Sequence, residues 1–307
     1  PWKKRVLPRK SWTRSYKSAD CRKKTLEYLS ELLYNHSMLV GIYTNKDRDE
    51  GLKYTRRLID ALDSRGLDRA LHDSVCIKGV KSFGDDCSPR PDVIVVLGGD
   101  GSILSAVAFA AVNDIPILGV NTGNVGFLSS CGAEQIEECA ERLKRGDYTV
   151  ATRSMVCTDI GGKRSYALND IVFCRGNIGK TVRFTVRVNG AVLGRFKADG
   201  CIVSTPTGST AYALSSGGPI IDPSVRCILL VPVCCHHMSM KPVVVDENEI
   251  VEIVADEPAC VVVDGRVESE SERGITVAKA PISTKFVVLE NMDFYVRIHD
   301  RLGGNIG

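Results

Sequence analysis

The sequence predicts two fold classes in series: an N-terminal doubly wound α/β domain, then an all-β, antiparallel β-sandwich domain. Three observations carry this. Residues 92–97 form a near-continuous β-branched run, the kind buried on both faces of a parallel sheet. That run breaks at once into the glycines 98–101 and then a helical pattern, the strand–turn–helix order of an open α/β sheet. From about residue 149 the rhythm changes. Val182, Phe184, Val186 and Val188 alternate strictly with Arg183, Thr185 and Arg187, as on a half-buried antiparallel strand.

The remaining elements follow in order. Residues 38–44 are a short apolar strand, and 51–65 read as a helix with Leu52, Leu58, Ile59 and Leu62 along one side. After the glycines, Ile103, Leu104, Val107 and Ala111 mark a second helix. Residues 115–120 form another buried strand that ends in a second glycine-rich turn. Residues 133–145 repeat a helical period through Ile136, Ala140 and Leu143, with Gly146 as the stop. In the second half, strand signals recur at 200–204, 243–245, 250–254, 259–263 and 286–289. The boundary near 150 rests on this change of period, because no repeat or low-complexity linker separates the halves.

Composition narrows the class. At 307 residues, two domains are the natural expectation. A net charge of +3 gives no electrostatic reason for nucleic-acid binding, and no apolar stretch approaches the roughly 20 residues of a membrane helix. Twelve cysteines are spread over the chain without a CxxC pair, which suits free, mostly buried thiols in a reducing, cytoplasmic compartment. The first 19 residues hold seven Lys or Arg and no acid. A solvated tail and the remnant of an organellar transit peptide both have that composition.

The chemistry concentrates in two places. Gly98-Gly99-Asp100-Gly101-Ser102 stands at the carboxyl end of the strongest strand, where open α/β sheets bind ligands. Glycines let backbone amides approach phosphate oxygens, and the helix N-terminus behind them favours an anion. An acid in such a cradle can accept a proton or hold a metal against the phosphates; alternatively, Asp100 is simply an N-cap. The second place is residues 199–212. Here a strand ends in a hydroxyl-rich loop through Ser204, Thr207, Gly208 and Thr210, then enters a short helix at Ala211-Tyr212. Hydroxyls and free amides suit ribose and phosphate, and a tyrosine can flank a base. Three weaker patterns lead nowhere. The glycines at 119, 123 and 126 lack the GxGxxG spacing, and residues 176–181 resemble a P-loop ending but carry Cys174 where glycine is needed. Contiguous Cys234-Cys235-His236-His237 would point to opposite faces of a strand, so at most two could converge on zinc.

With these blocks in hand, the sequence resembles the NAD kinase family from about residue 38 to the C-terminus. The resemblance is carried in order by residues 98–101, by 119–128 with Asn121, Gly123 and Phe127, by Leu168-Asn169-Asp170, and by 199–212. Residues 234–244 resemble the family's Pro-His-x-Leu-Ser-x-Arg-Pro segment, with His236 at the histidine, and Asp264-Gly265 matches a further Asp-Gly turn. The resemblance implies ATP-dependent phosphorylation of the 2′-hydroxyl on the adenosine ribose of NAD, with Mg²⁺, in a homodimer or homotetramer. It divides the chain into a basic N-terminal extension and helix (1–37), a nucleotide-binding α/β domain (38–148 plus a returning helix within 291–307), and an NAD-binding sandwich (149–290).

Asp100 would be the base. Gly98, Gly99, Gly101 and Ser102 would hold phosphate, and Asn169 with Asp170 would bind ribose hydroxyls. Ser204, Thr207, Thr210, Ala211 and Tyr212 would frame adenine and nicotinamide. Asn121, Gly123, Phe127, Asp199, Gly208 and His236 complete the implied binding set. Three residues depart from the family pattern: Ser102 replaces threonine, Asp170 stands where glutamate is common, and Cys235 replaces the proline before His236. The rivals are a lipid kinase sharing the GGDG turn, which would not need residues 204–212, and a catalytically silent NAD(H)-binding regulator, which would not need Asp100.

Overall fold

Five parallel strands in the order β3-β2-β1-β4-β5 build the first half of the structure, a computed structural model that describes residues 38–84, 86–123, 126–176, 181–235, 240–289 and 294–300. The proposed N-terminal helix within residues 1–37 lies outside the described residues. In chain order the elements here are β1 (Leu39–Thr44), α1 (Lys53–Asp63), β2 (Asp68–His72), β3 (Lys81–Phe83), β4 (Val93–Leu97), α2 (Asp100–Val112), β5 (Ile117–Asn121), β6 (Cys131–Gly132) and α3 (Ile136–Arg145). Every residue of β4 and β5 is buried, which is why their sequences run apolar without alternation. The strand order reverses between β1 and β4, so the crevice at their carboxyl ends is a topological switch point.

Helix α1 starts later than the periodicity predicts. Gly51 and Leu52 both have left-handed backbones, and Leu52 sits before the helix rather than on its buried side. The buried carboxylate of Asp49 sets the start by accepting the N–H groups of Tyr54 and Thr55, each at 2.8 Å. Helix α3 carries Glu137 and Glu138 in its first turn and three basic residues in its last, which complements its dipole; Gly146 closes it in the left-handed conformation.

The second half is β: β7 (Thr149–Ile160), β8 (Lys163–Ala167), β9 (Asp170–Arg175), β10 (Val182–Val188), β11 (Ala191–Ala198), β12 (Gly200–Ser204), α4 (Tyr212–Ser215), β13 (Cys227–Val233), β14 (Val243–Asp246), β15 (Val251–Val263) and β16 (Arg266–Val288), followed by α5 (Phe294–Ile298). Strands β14-β13-β12-β9-β15-β16 are joined antiparallel, β10 and β11 form a hairpin on β15, and β7 with β8 packs along β16. The signals at 250–254 and 259–263 are one strand, β15, whose register against β16 shifts between Val254 and Ala259. That irregularity is the gap between the two apolar runs.

Strand β16 spans both halves. It pairs with β15 along its first part and with β7 along its second, and it meets β5 in parallel at Phe286 and Ile117. The core is correspondingly shared: Ile94, Val96, Ile103 and Ile117 of the first half pack in one cluster with Met155, Leu168, Ala280 and Phe286 of the second. A separate cluster around Phe173, Phe184 and Phe196 fills the sandwich. Among the described cysteines five are buried, four are partly buried, and Cys76 and Cys234 are exposed. Among the described residues no helix is long and apolar enough to cross a membrane.

Candidate active site

The turn after β4 is built by close approach. Gly98 has φ +152°, and a Cβ there would stand 2.3 Å from Ser102 Oγ, so only glycine fits. Gly99 is the extended N-cap of α2 and its carbonyl accepts the N–H of Ile103 at 3.1 Å. Ser102 is buried one turn in, and its hydroxyl accepts a 3.2 Å hydrogen bond from Asn45 Nδ2 at the end of β1. Asp100 is therefore the first residue of the helix and not its N-cap. Its carboxylate reaches across to the second glycine turn, where Oδ2 accepts Phe127 N–H at 2.9 Å and Oδ1 accepts Leu128 N–H at 3.2 Å.

The second turn is shaped to receive that acid. A Cβ on Gly126 would lie 1.7 Å from Asp100 Oδ1. Asn121 folds the entry by accepting Gly123 N–H at 2.7 Å, and Ser129 Oγ accepts Gly126 N–H at 3.1 Å. Arg297 of α5 holds the far side, donating to the carbonyls of Phe127 (2.9 Å) and Ser129 (3.0 Å).

A second cradle is tied together by Asp264, in the left-handed Asp-Gly turn between β15 and β16. Its carboxylate accepts the N–H groups of Leu168 and Asn169 at 2.8 Å and of Asp170 at 3.2 Å. The 168–170 segment then docks the hydroxyl-rich loop. The Asn169 carbonyl accepts Thr205 N–H at 2.8 Å and Ser204 Oγ at 3.1 Å, and a Cβ on Gly208 would sit 2.1 Å from that same oxygen. Ser204 is buried and its hydroxyl is engaged with backbone carbonyls. Thr207 and Thr210 lie in a 3-10 turn that leads into α4.

Two cavities flank this loop. One, of about 370 Å³, is lined by Asn169, Asp170, Cys174, Ala211, Tyr212 and Asp264, with Leu104 of α2 in its wall. The other, of about 190 Å³, contains Phe127, Thr207 and Thr210 together with Arg153 and Arg297. Burial, with the Asp264 carboxylate beside it, pushes Asp170 up to about 7. Asp264 is raised by burial, against the pull of its three amide donors. Asp199 forms a fork with Arg175, 3.0 Å from Nε and 3.2 Å from the terminal nitrogen, and does not line either cavity. His236 and residues 177–180 fall outside the described residues.

Comparison with known proteins places this geometry. Two family models match, the ATP-NAD kinase N-terminal domain over residues 80–148 and the ATP-NAD kinase C-terminal domain over residues 168–289. A protein of Acetivibrio thermocellus named NAD kinase is 36% identical over 281 residues, 85% of this chain and 97% of that relative. The chain belongs to the NAD kinase family. Among solved structures, yeast NADH kinase complexed with NADH shares the fold at TM-score 0.77 and 23% identity, covering 88% of this chain and 89% of that one. An NAD kinase from Archaeoglobus fulgidus in complex with ATP superposes at TM-score 0.72 with 27% identity, covering 88% and 100%. The α/β layer and β-sandwich read from the sequence are the architecture of this family.

Some residues of the candidate site escape sequence reasoning. The anchoring role of Asp264 was not legible from its Asp-Gly turn, which by itself predicts only a hairpin. Asn45, Arg153 and Arg297 belong to no motif. Arg297 alone has a hint, because the resemblance implies a returning helix within residues 291–307.

Proposed function

We propose that this protein transfers the γ-phosphoryl group of ATP to the 2′-hydroxyl of the adenosine ribose of NAD, giving NADP and ADP. The observation that carries the reading is the Asp100 carboxylate, fixed by two amides of the opposing turn at the carboxyl end of β4. A carboxylate has room for about four hydrogen bonds, so two remain for a substrate hydroxyl. Asp100 orients that hydroxyl and accepts its proton as the new P–O bond forms. Phosphoryl transfer needs little push from the nucleophile, so positioning is the larger part of its contribution. The amides of Gly99 and Gly101 take phosphate, the Ser102 amide being already bonded to the Gly99 carbonyl at 2.9 Å; Asn169 and Asp170 hold ribose hydroxyls, and Ala211 and Tyr212 flank a base. Asp199, Gly208 and His236 support the binding face.

Mg²⁺ suits this donor set. Among the described residues no three His, Cys, Asp or Glu side chains stand together as a cage, and Mg²⁺ is commonly held by one or two carboxylates plus substrate phosphates. Asp100 would hold it, and it would supply neutralisation of phosphate charge. In this reading residues 38–148 and 291–307 take the donor, residues 149–290 take NAD, and the protein works in the cytoplasm as a homodimer or homotetramer. The exposed Val192 and Leu193 on the edge strand β11 are consistent with a partner subunit. A silent NAD(H)-binding regulator would not require the Asp100 carboxylate to be held.

Incubation with ATP, Mg²⁺ and NAD is expected to yield NADP and ADP in equal amounts. Asp100→Asn is expected to keep NAD binding while kcat falls by about 10²-fold or more. Well-folded protein that makes no NADP would overturn the reading; an Asp100→Asn variant with full turnover would overturn the base assignment.

A further inference from the structure

Among the described residues, the 190 Å³ cavity beside Asp100 is lined by two charged side chains, both arginines, and by no acid. They arrive from opposite halves of the fold: Arg153 from β7, Arg297 from α5. Arg297 is anchored on the carbonyls of Phe127 and Ser129, the segment whose amides hold Asp100. Arg153 differs. Among the described residues its side chain makes no hydrogen bond or ion pair, although the residue is half-buried. Its charged neighbours are Asp222, which favours its charge from outside the cavity lining and is itself tied to Ser224, and Arg297, which opposes it. Burial lowers the affinity of both guanidiniums for their protons.

Two like charges turned into one small cavity, one of them with no partner, are stable when an anion lies between them. The guanidinium fork matches phosphate oxygens, and the Thr207 hydroxyl in the same lining adds a donor, while that of Thr210 is given to the Thr207 carbonyl at 3.2 Å. The GGDG turn itself supplies amides and the Asp100 carboxylate but no cationic side chain, so any fixed positive charge for a polyphosphate must come from outside it. We propose that Arg153 and Arg297 form a paired guanidinium site for the polyphosphate of a bound nucleotide, the ATP donor, beside Asp100. This rests on the phosphotransfer reading above and adds the residues that would neutralise the donor.

The test uses the full-length protein with Arg153→Gln and Arg153→Lys, because Arg153 has no internal bond whose loss would disturb the fold. ATP is titrated at saturating NAD, then NAD at saturating ATP, with Tm measured alongside. In Arg153→Gln, KM for ATP is expected to rise about tenfold or more, with partial rescue in Arg153→Lys and KM for NAD within about twofold of wild type. Inorganic triphosphate should inhibit wild type and lose affinity in Arg153→Gln by a similar factor. A rise in KM for NAD instead would keep the polyphosphate site but assign it to the acceptor's diphosphate. Unchanged KM values and triphosphate inhibition at an unchanged Tm would overturn the proposal. If wild type forms no NADP, the functional reading falls by itself; calorimetric binding of triphosphate to wild type but not to Arg153→Gln would still uphold the site.

Discussion

Replacing Asp170 with asparagine should stabilise this protein at alkaline pH. The side chain is 5% exposed, and burial together with the neighbouring Asp264 carboxylate raises it from an ordinary 3.8 to about 7. An acid whose affinity for its proton is higher in the folded chain contributes stability below its unfolded value. That contribution is lost as pH climbs through the folded value. Between about pH 4 and pH 7 the native state holds a proton that the unfolded state has released. Above about pH 7 both states are ionised, and the native state carries the full penalty of a buried charge. The distance from 3.8 to about 7 corresponds to about 4 kcal/mol at ~1.36 kcal/mol per pH unit. The cavity at Asp170 admits water, so this is a ceiling. Asparagine keeps the shape and removes the charge. With roughly 2 °C in Tm per kcal/mol for a chain of this size, Asp170→Asn should melt up to about 8 °C above wild type at pH 8. The two should coincide below about pH 4. Calorimetry across that range checks it, and a constant offset between the two proteins at every pH would refute the argument. The same change should raise KM for NAD, a stability–activity trade-off.

Two further substitutions test the cradles. Gly126→Ala puts a methyl group where Asp100 Oδ1 now lies, so the carboxylate must leave its amide donors; kcat should fall as far as in Asp100→Asn at a stability cost of about 1–3 kcal/mol, and retained turnover would contradict the geometry. Asp264→Ala strips the acceptor from three backbone amides; denaturant unfolding should show a loss of about 3 kcal/mol or more, and the ionisation of Asp170 should shift to lower pH once the neighbouring charge is gone.

What the sequence reveals is what burial writes into local pattern. Strand β4 is buried on both faces, so Val93 to Leu97 announce it without ambiguity, and Val182 to Val188 announce β10 because one face is wet. The same logic hides β16. Its residues 266–274 are mostly exposed Glu, Ser and Arg with no apolar face, and Ile275 and Val277 alternate too briefly to mark a strand, so the apolar run at 286–289 is the signal that stands out. The late start of α1 is set by Asp49, a residue outside the periodic stretch. At the site, the turns at Asp100 and at residues 204–212 are legible because close backbone approach demands glycine and small hydroxyl residues at fixed spacing. Their supports are not. Asp264 acts on amides 94 to 96 positions away, and Arg297 on carbonyls 168 and 170 positions away. Such pairings leave no trace in any window of a single sequence.

Strand β16 also imposes an order on synthesis. The α/β layer emerges from the ribosome first, yet the edge of β5 that meets Phe286 and the core around Ile117 remain open until residues 266–288 follow. The sandwich waits for the same segment, since β7 and β15 both pair with it. Neither half can finish alone, and a nascent chain short of β16 presents apolar strand edges from both. The last of the described strands is thus the one on which both halves close, and chains that stall before it are expected to be more exposed to aggregation and proteolysis.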